Sequence, residues 1–201
     1  MPDLPVKDEV RALVRHGRDA VAAASGLTAL VWVTTLSDWF LGGMISTWSV
    51  RPWTLVGLLG IPVMPFVHGG IAHLLMNTLA AIPLMFLAAE RKVRDVFVVA
   101  AVSTLTGGLG AWLFGGAGTL HVGASGVIFG WLGFVLGRGI FERRVVPIVL
   151  SLVAAVLYGG SLTLLLPVAV GISWQAHLFG LLGGLLASSV LARRLRDDKV
   201  R

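Results

Sequence analysis

Six long stretches of this chain carry almost no charge, and clusters of basic residues lie in alternate gaps between them. That pattern constrains the fold more than any motif does. The stretches run over about 20–44, 66–89, 96–114, 123–137, 145–166 and 172–192. A helix needs about 20 apolar residues to cross a hydrocarbon core of about 30 Å, and most of the stretches meet that length. Hydrophobic residues make up 56% of the 201 and charged ones only 13%, so the apolar runs are too many and too long for a soluble core. The expectation is an all-α, polytopic membrane protein: one compact six-helix domain over 20–192, a leader at 1–19 and a basic tail at 193–201. The absence of cysteine removes disulfides, thiolate metal sites and a thiol nucleophile.

A net charge of +6 would point towards nucleic acid in a soluble protein, but here the positions of the basic residues decide the matter. If six spans alternate, Lys7, Arg11, Arg15, Arg18, Arg91, Lys92, Arg94, Arg138, Arg143, Arg144 and the basic residues of the tail fall on one side, with only Arg51 on the other. The positive-inside rule then predicts a multi-pass protein of the cell membrane with both termini in the cytoplasm, and no nucleic-acid partner. The first span is not read as a cleavable signal peptide, because it exceeds the usual apolar length and follows a leader mixing acids and bases. That leader is expected either to lie along the inner membrane surface or to remain a solvated tail.

The connection 43–65 includes Trp48, Val50, Trp53, Leu55, Ile61 and Met64, too apolar for an aqueous loop. It is predicted to rest in the outer interface, broken by Pro52, Pro62 and Pro65 into short helical turns. Trp39, Trp48, Trp53, Trp112 and Trp174 fall near outer span ends and read as headgroup-level anchors.

Within this frame, a few polar groups sit where lipid should be. The uncharged part of the fourth span is 15 residues, or about 22 Å of helix, too short to cross. With Arg138 at the inner surface, Ser125 in the sequence GASG starts roughly 8 Å below the outer boundary, in an aqueous pocket opening outward. His177, in AHLFGLLGG, lies at a similar depth at the start of the sixth span. Gly126 and Gly130 on one helix, and Gly180 and Gly184 on the other, supply small-residue faces for close approach. The second span contributes HGGIAHLLMN, with His73 and Asn77 four residues apart on one helical face and His68 preceding the helix. Four histidines invite a zinc reading, but no acidic or thiolate partner accompanies them and the spacing is not that of HExxH. His68 and His121 read as hydrogen-bonded structural residues, and neither metal nor cofactor is expected.

The three pieces HGGIAHLLMN, GASGVIFGWLG and SWQAHLFGLLGG, in this order, resemble the rhomboid family of intramembrane serine proteases in its bacterial six-helix form, over about 20–192. The resemblance implies Ser125 as nucleophile and His177 as general base. It implies an oxyanion pocket from His73, Asn77 and the Ser125 amide, with Gly123 giving close approach beside it. Phe129, one turn after the serine, would pack near the imidazole, and His68, Gly126, Gly180 and Gly184 would support the site. No acidic third member lies near the motifs, so a dyad is implied rather than a triad. The first outer loop departs from the family pattern: Trp53 is followed by Thr54, and Arg51 precedes Pro52, where a Trp-Arg pair is usual. Gln175 has no role assignable from sequence.

The implied activity is hydrolysis of a peptide bond in or beside the transmembrane segment of another single-pass or multi-pass protein in the bilayer. Segments with helix-weakening and small residues are the expected substrates. The competing possibility is an inactive rhomboid-like chaperone that binds membrane clients, against which the retention of His73, Asn77, Ser125 and His177 together argues. A transporter is disfavoured because spans two to six carry no deep charge for an ion path.

Overall fold

A computed structural model describes residues 6–167 and 171–200, with side chains for 8–167 and 171–195. Residues 1–5 of the leader, Arg201 and the side chains of Arg196 and Lys199 lie outside that description. Seven α-helices follow in order: α1 (Val6–Phe40), α2 (Leu55–Leu59), α3 (Ile71–Ala89), α4 (Val93–Phe114), α5 (Ser125–Glu142), α6 (Val145–Tyr158) and α7 (Trp174–Val200). All but α2 belong to segments long and apolar enough to cross a membrane, six among the described residues. The protein is thus an all-α polytopic bundle. Its only strand-like pairing among the described residues is an isolated bridge between Val50 and His121.

Helix ends follow local chemistry. Helix α1 runs unbroken for 35 residues, about 52 Å, so it outreaches the hydrocarbon core by roughly 20 Å and carries the described part of the leader on the same helix. Helix α3 starts only at Ile71, after Pro65 and the Gly69–Gly70 pair, so 66–70 are not part of the second span's helix as the apolar run predicted. Left-handed Arg143 ends α5 and leaves a two-residue turn into α6. At Gly159–Gly160, α6 tightens into a 3-10 segment, Gly159–Leu165, which stops before Pro167.

Helix α5 is the axis of the bundle, with 67% of its span buried against 6% for the α6 segment. Lipid offers little hydrophobic drive between helices, so close backbone packing must hold α5 in place. A Cβ on Gly180 would overlap the Gly126 carbonyl, and one on Gly184 would overlap the Gly130 carbonyl, so α5 and α7 meet backbone to backbone. Sequence reading missed the rest of this seam: Gly133 lies against Leu181, Gly137 against Ser188, and Gly107 of α4 against Ala176. Hydrogen bonds pin neighbouring helices, from Trp32 Nε1 to Thr78 Oγ1 at 3.0 Å and from Trp131 Nε1 to the Val96 carbonyl at 3.0 Å.

The fourth span corrects one sequence expectation. Arg138 is not an exposed charge: it is 3% exposed and donates to Glu90 and Glu142, each at 2.7 Å. Pairing makes burial tolerable, and α5 therefore continues to Glu142 for 18 residues, about 27 Å. Were exposed Arg143 to mark the boundary instead, the depth expected for Ser125 would fall to about 3 Å in an upright helix, or about 5 Å at a common tilt of about 20°.

The connection between α1 and α3 folds back as short turns, as its prolines predicted. Val50, Ile61 and Met64 bury against Ala111 and Ala176, while Trp48, Leu55 and Leu59 stay exposed. The tryptophans do more than set depth. Trp53 Nε1 donates to the Leu113 carbonyl at 3.1 Å, Trp112 Nε1 to the Thr54 carbonyl at 2.8 Å, and Trp39 Nε1 to the His68 carbonyl at 2.9 Å. These bonds tie the connection to α1 and α4 at the end of the bundle opposite the termini.

Candidate active site

The N-terminus of α5 is fixed by its last non-helical residues. Gly123 has φ +112°, a region L side chains rarely adopt, and its N–H donates to the Met64 carbonyl at 2.8 Å. The Ala124 N–H donates to His68 Nε2 at 3.2 Å. That bond fixes the His68 tautomer: Nε2 accepts, so Nδ1 carries the proton and donates to Thr35 Oγ1 at 3.1 Å, while the Thr35 hydroxyl donates to the Phe66 carbonyl. Burial, with a smaller push from His73, lowers His68 to about 4, so the ring is neutral. His68 stands behind the site and bonds α1 to the start of α5.

His121 is similarly occupied. Thr119 Oγ1 donates to the Gly116 carbonyl, so it accepts from His121 Nε2–H at 3.0 Å, and His121 Nδ1 accepts from Ser173 Oγ at 2.7 Å. Burial pushes this ring below its usual pKa as well. With both nitrogens of His68 and His121 bonded within the protein, neither ring is free to ligate a metal.

Ser125, first residue of α5, has Oγ 2.8 Å from His177 Nε2. His177 occupies the first turn of α7, and the Gly126–Gly180 contact one residue beyond the serine brings the two helices close enough for this bond. His177 Nδ1 lies 3.0 Å from the Leu164 carbonyl. A carbonyl only accepts, so Nδ1 holds the proton and the Nε2 lone pair faces the serine hydroxyl. Phe129 stacks on the imidazole at 4.5 Å between centroids and 20° between planes. Sequence reading could not find Leu164, because a main-chain acceptor has no side-chain signature.

On the other side of the serine, His73 and Asn77 lie over Gly123: a Cβ there would be 2.6 Å from His73 Cε1 and 3.4 Å from Asn77 Nδ2. Asn77 Nδ2 is buried and without an acceptor among the described residues. The Ser125 N–H, one of the amides a helix start leaves free, also has none among them. Two unspent donors and the positive end of an 18-residue helix thus face the space beside Oγ, an arrangement suited to developing negative charge. That space is a cavity of about 1040 Å³, whose lining runs from Gly70, Gly116 and Gly171 in the loops down to Leu84 and Leu132 within the bundle. Gln175, unassigned from sequence, donates to the Phe114 carbonyl at 2.9 Å and joins α7 to the end of α4. Gly184 sits one turn below Gly180, in the seam rather than at the cavity.

Comparison with known proteins agrees with this architecture. The Rhomboid domain model matches residues 51–194. An uncharacterized Mycobacterium tuberculosis protein is 37% identical over 172 residues, covering 82% of this chain and 72% of its own length. An uncharacterized Mycobacterium leprae protein is 35% identical over 179 residues, covering 85% and 71% respectively. The Bacillus subtilis protein named "Putative rhomboid protease YdcA" is 31% identical over 175 residues, covering 83% of this chain and 79% of its own. With most of the domain matched and relatives aligned along most of their lengths, the chain belongs to the rhomboid family.

Proposed function

We propose that the protein is an intramembrane serine endopeptidase that cuts peptide bonds in or next to the transmembrane segments of other membrane proteins. The observation that carries this reading is the 2.8 Å contact between Ser125 Oγ and an imidazole nitrogen whose lone pair the Leu164 bond leaves free. In the proposed reaction, Oγ attacks the substrate carbonyl carbon while His177 Nε2 takes the hydroxyl proton. The oxyanion is held by Asn77 Nδ2, His73 and the Ser125 N–H, each such donor typically contributing about 3 kcal/mol in the transition state. Collapse breaks the C–N bond as Nε2 returns the proton to the leaving amine, and water delivered through the cavity then hydrolyses the acyl-enzyme by the same proton relay. The distribution of basic residues supports placing both termini in the cytoplasm of the cell membrane, with the cavity facing outward.

The test is labelling by a fluorophosphonate probe in detergent, together with cleavage of a transmembrane reporter. Wild type is expected to label and cut, and Ser125→Ala and His177→Ala to do neither. Equal labelling of all three proteins, or a wild type that spares every reporter, would favour a client-binding member of the family.

A further inference from the structure

The bond from His177 Nδ1–H to the Leu164 carbonyl has an origin in the chain itself. In a 3-10 helix each carbonyl accepts from the N–H three residues on, and the segment obeys this up to its end, where the Leu166 N–H donates to the Thr163 carbonyl at 3.2 Å. The next donor in the ladder would belong to residue 167, which is proline and has no N–H. Pro167 therefore leaves the Leu164 carbonyl without its ladder partner, and the imidazole takes that place at 3.0 Å.

A neutral imidazole carries one proton on either nitrogen, and only the Nδ1–H form offers Ser125 a base. In serine hydrolases built as triads a buried carboxylate selects that form. Among the described residues no carboxylate does so: Asp38 is spent on the amides of Ile45 and Ser46, and Glu90, Asp95 and Glu142 belong to the far ends of α3, α4 and α5. We propose, resting on the dyad reading above, that the main-chain carbonyl of Leu164 is the positioning group for His177, holding the proton on Nδ1 and turning the Nε2 lone pair to Ser125. It acts as a neutral dipole in the place a carboxylate fills in a triad. Because Gly159–Leu165 also packs on α7, and Ser161 and Leu164 line the cavity, displacing this segment withdraws the acceptor and leaves the tautomer unselected.

The test is made on the full chain in detergent micelles. Replacing Leu165 by its α-hydroxy acid, Leu165→leucic acid, keeps every side chain and turns the amide that bears the Leu164 carbonyl into an ester, a weaker acceptor. Two quantities are read: the rate of fluorophosphonate labelling and the ring ¹⁵N shifts of His177, which report the tautomer directly. Labelling about tenfold slower, with partial loss of the Nδ1–H signature, is expected from removing most of one hydrogen bond. The ester also deletes the Leu165 N–H, so a second pair of variants approaches the carbonyl from the other side. Pro167→Ala supplies the missing ladder N–H as a rival donor and slows labelling, whereas Pro167→lactic acid, which has no N–H, leaves the rate near that of wild type. Wild-type rates with an intact Nδ1–H signature in both Leu165→leucic acid and Pro167→Ala would overturn the proposal while leaving the dyad standing. If wild type itself does not label, the dyad reading fails, and the ¹⁵N shifts alone still decide whether Leu164 holds the proton.

Discussion

Gly123→Ala is the sharpest perturbation the site offers, because the new methyl group has a single destination. An ideal Cβ falls 2.6 Å from His73 Cε1 and 2.8 Å from His73 Nε2, inside the separation that real Cβ atoms keep, and 3.4 Å from Asn77 Nδ2. The backbone at φ +112° also resists a side chain, at a cost of about 1–3 kcal/mol. The seam between α5 and α7 is untouched, since Gly126 rather than Gly123 makes that contact. The serine and imidazole should therefore stay bonded while His73 is driven off the oxyanion position. Losing one donor of this kind costs about 3 kcal/mol, or roughly 100-fold in kcat. The assay is cleavage of a transmembrane reporter in proteoliposomes, with thermal stability measured alongside. His73→Ala removes the obstacle, so Gly123→Ala combined with His73→Ala should cut no more slowly than His73→Ala alone, apart from the backbone strain. A Gly123→Ala protein within about twofold of wild type, or rate losses that simply multiply in the double variant, would refute the reasoning.

Two further outcomes follow from buried polar groups. Arg138→Met leaves the Glu142 carboxylate, 3% exposed, without its cation, and should lower unfolding stability by about 3 kcal/mol in a denaturant titration, with Glu142→Gln restoring part of it. Because His68 is held neutral with its pKa down at about 4, the native state refuses a proton that the unfolded chain accepts near 6.5. Its contribution is complete above about pH 6.5 and is lost as pH falls towards 4, by up to about 1.4 kcal/mol per pH unit. A thermal-shift series over that range should be shallower for His68→Gln than for wild type.

The sequence made the six spans legible because lipid demands long uncharged runs, and all six reappear as helical segments. It also made legible that Ser125 and His177 begin their helices at one end of the bundle, since loop glycines and basic clusters bracket both. Boundaries were harder to read. Arg138 looked like a surface charge because one of its partners, Glu90, is 48 residues away. Phe66 looked like span because apolar side chains do not reveal that it closes a short 3-10 turn, Met64–Phe66, separated from α3 by Gly69–Gly70. The hydrogen-bond roles of Trp53, Trp112 and Gln175 were hidden for a common reason: each donates to a main-chain carbonyl, and carbonyls are the same at every position. Pro167 was the one available hint to Leu164, and it acquires meaning only once the 3-10 register is known.

The Arg138 cluster has a mechanical consequence. The start of α5 is tied near Ser125 to His68 and Met64 in the connection before α3, and its other half is tied to the end of α3 at Glu90–Arg138, 13 residues or about 20 Å along α5. Relative to α3, a strut of that length held at one end only turns a swing of about 5° into a travel of about 2 Å at its tip. Misplacement by about 1 Å already costs a reaction around 100-fold. A buried guanidinium about 20 Å from the serine thus works as the second bolt of a rigid frame, and loosening it should be felt as wandering aim at the hydroxyl.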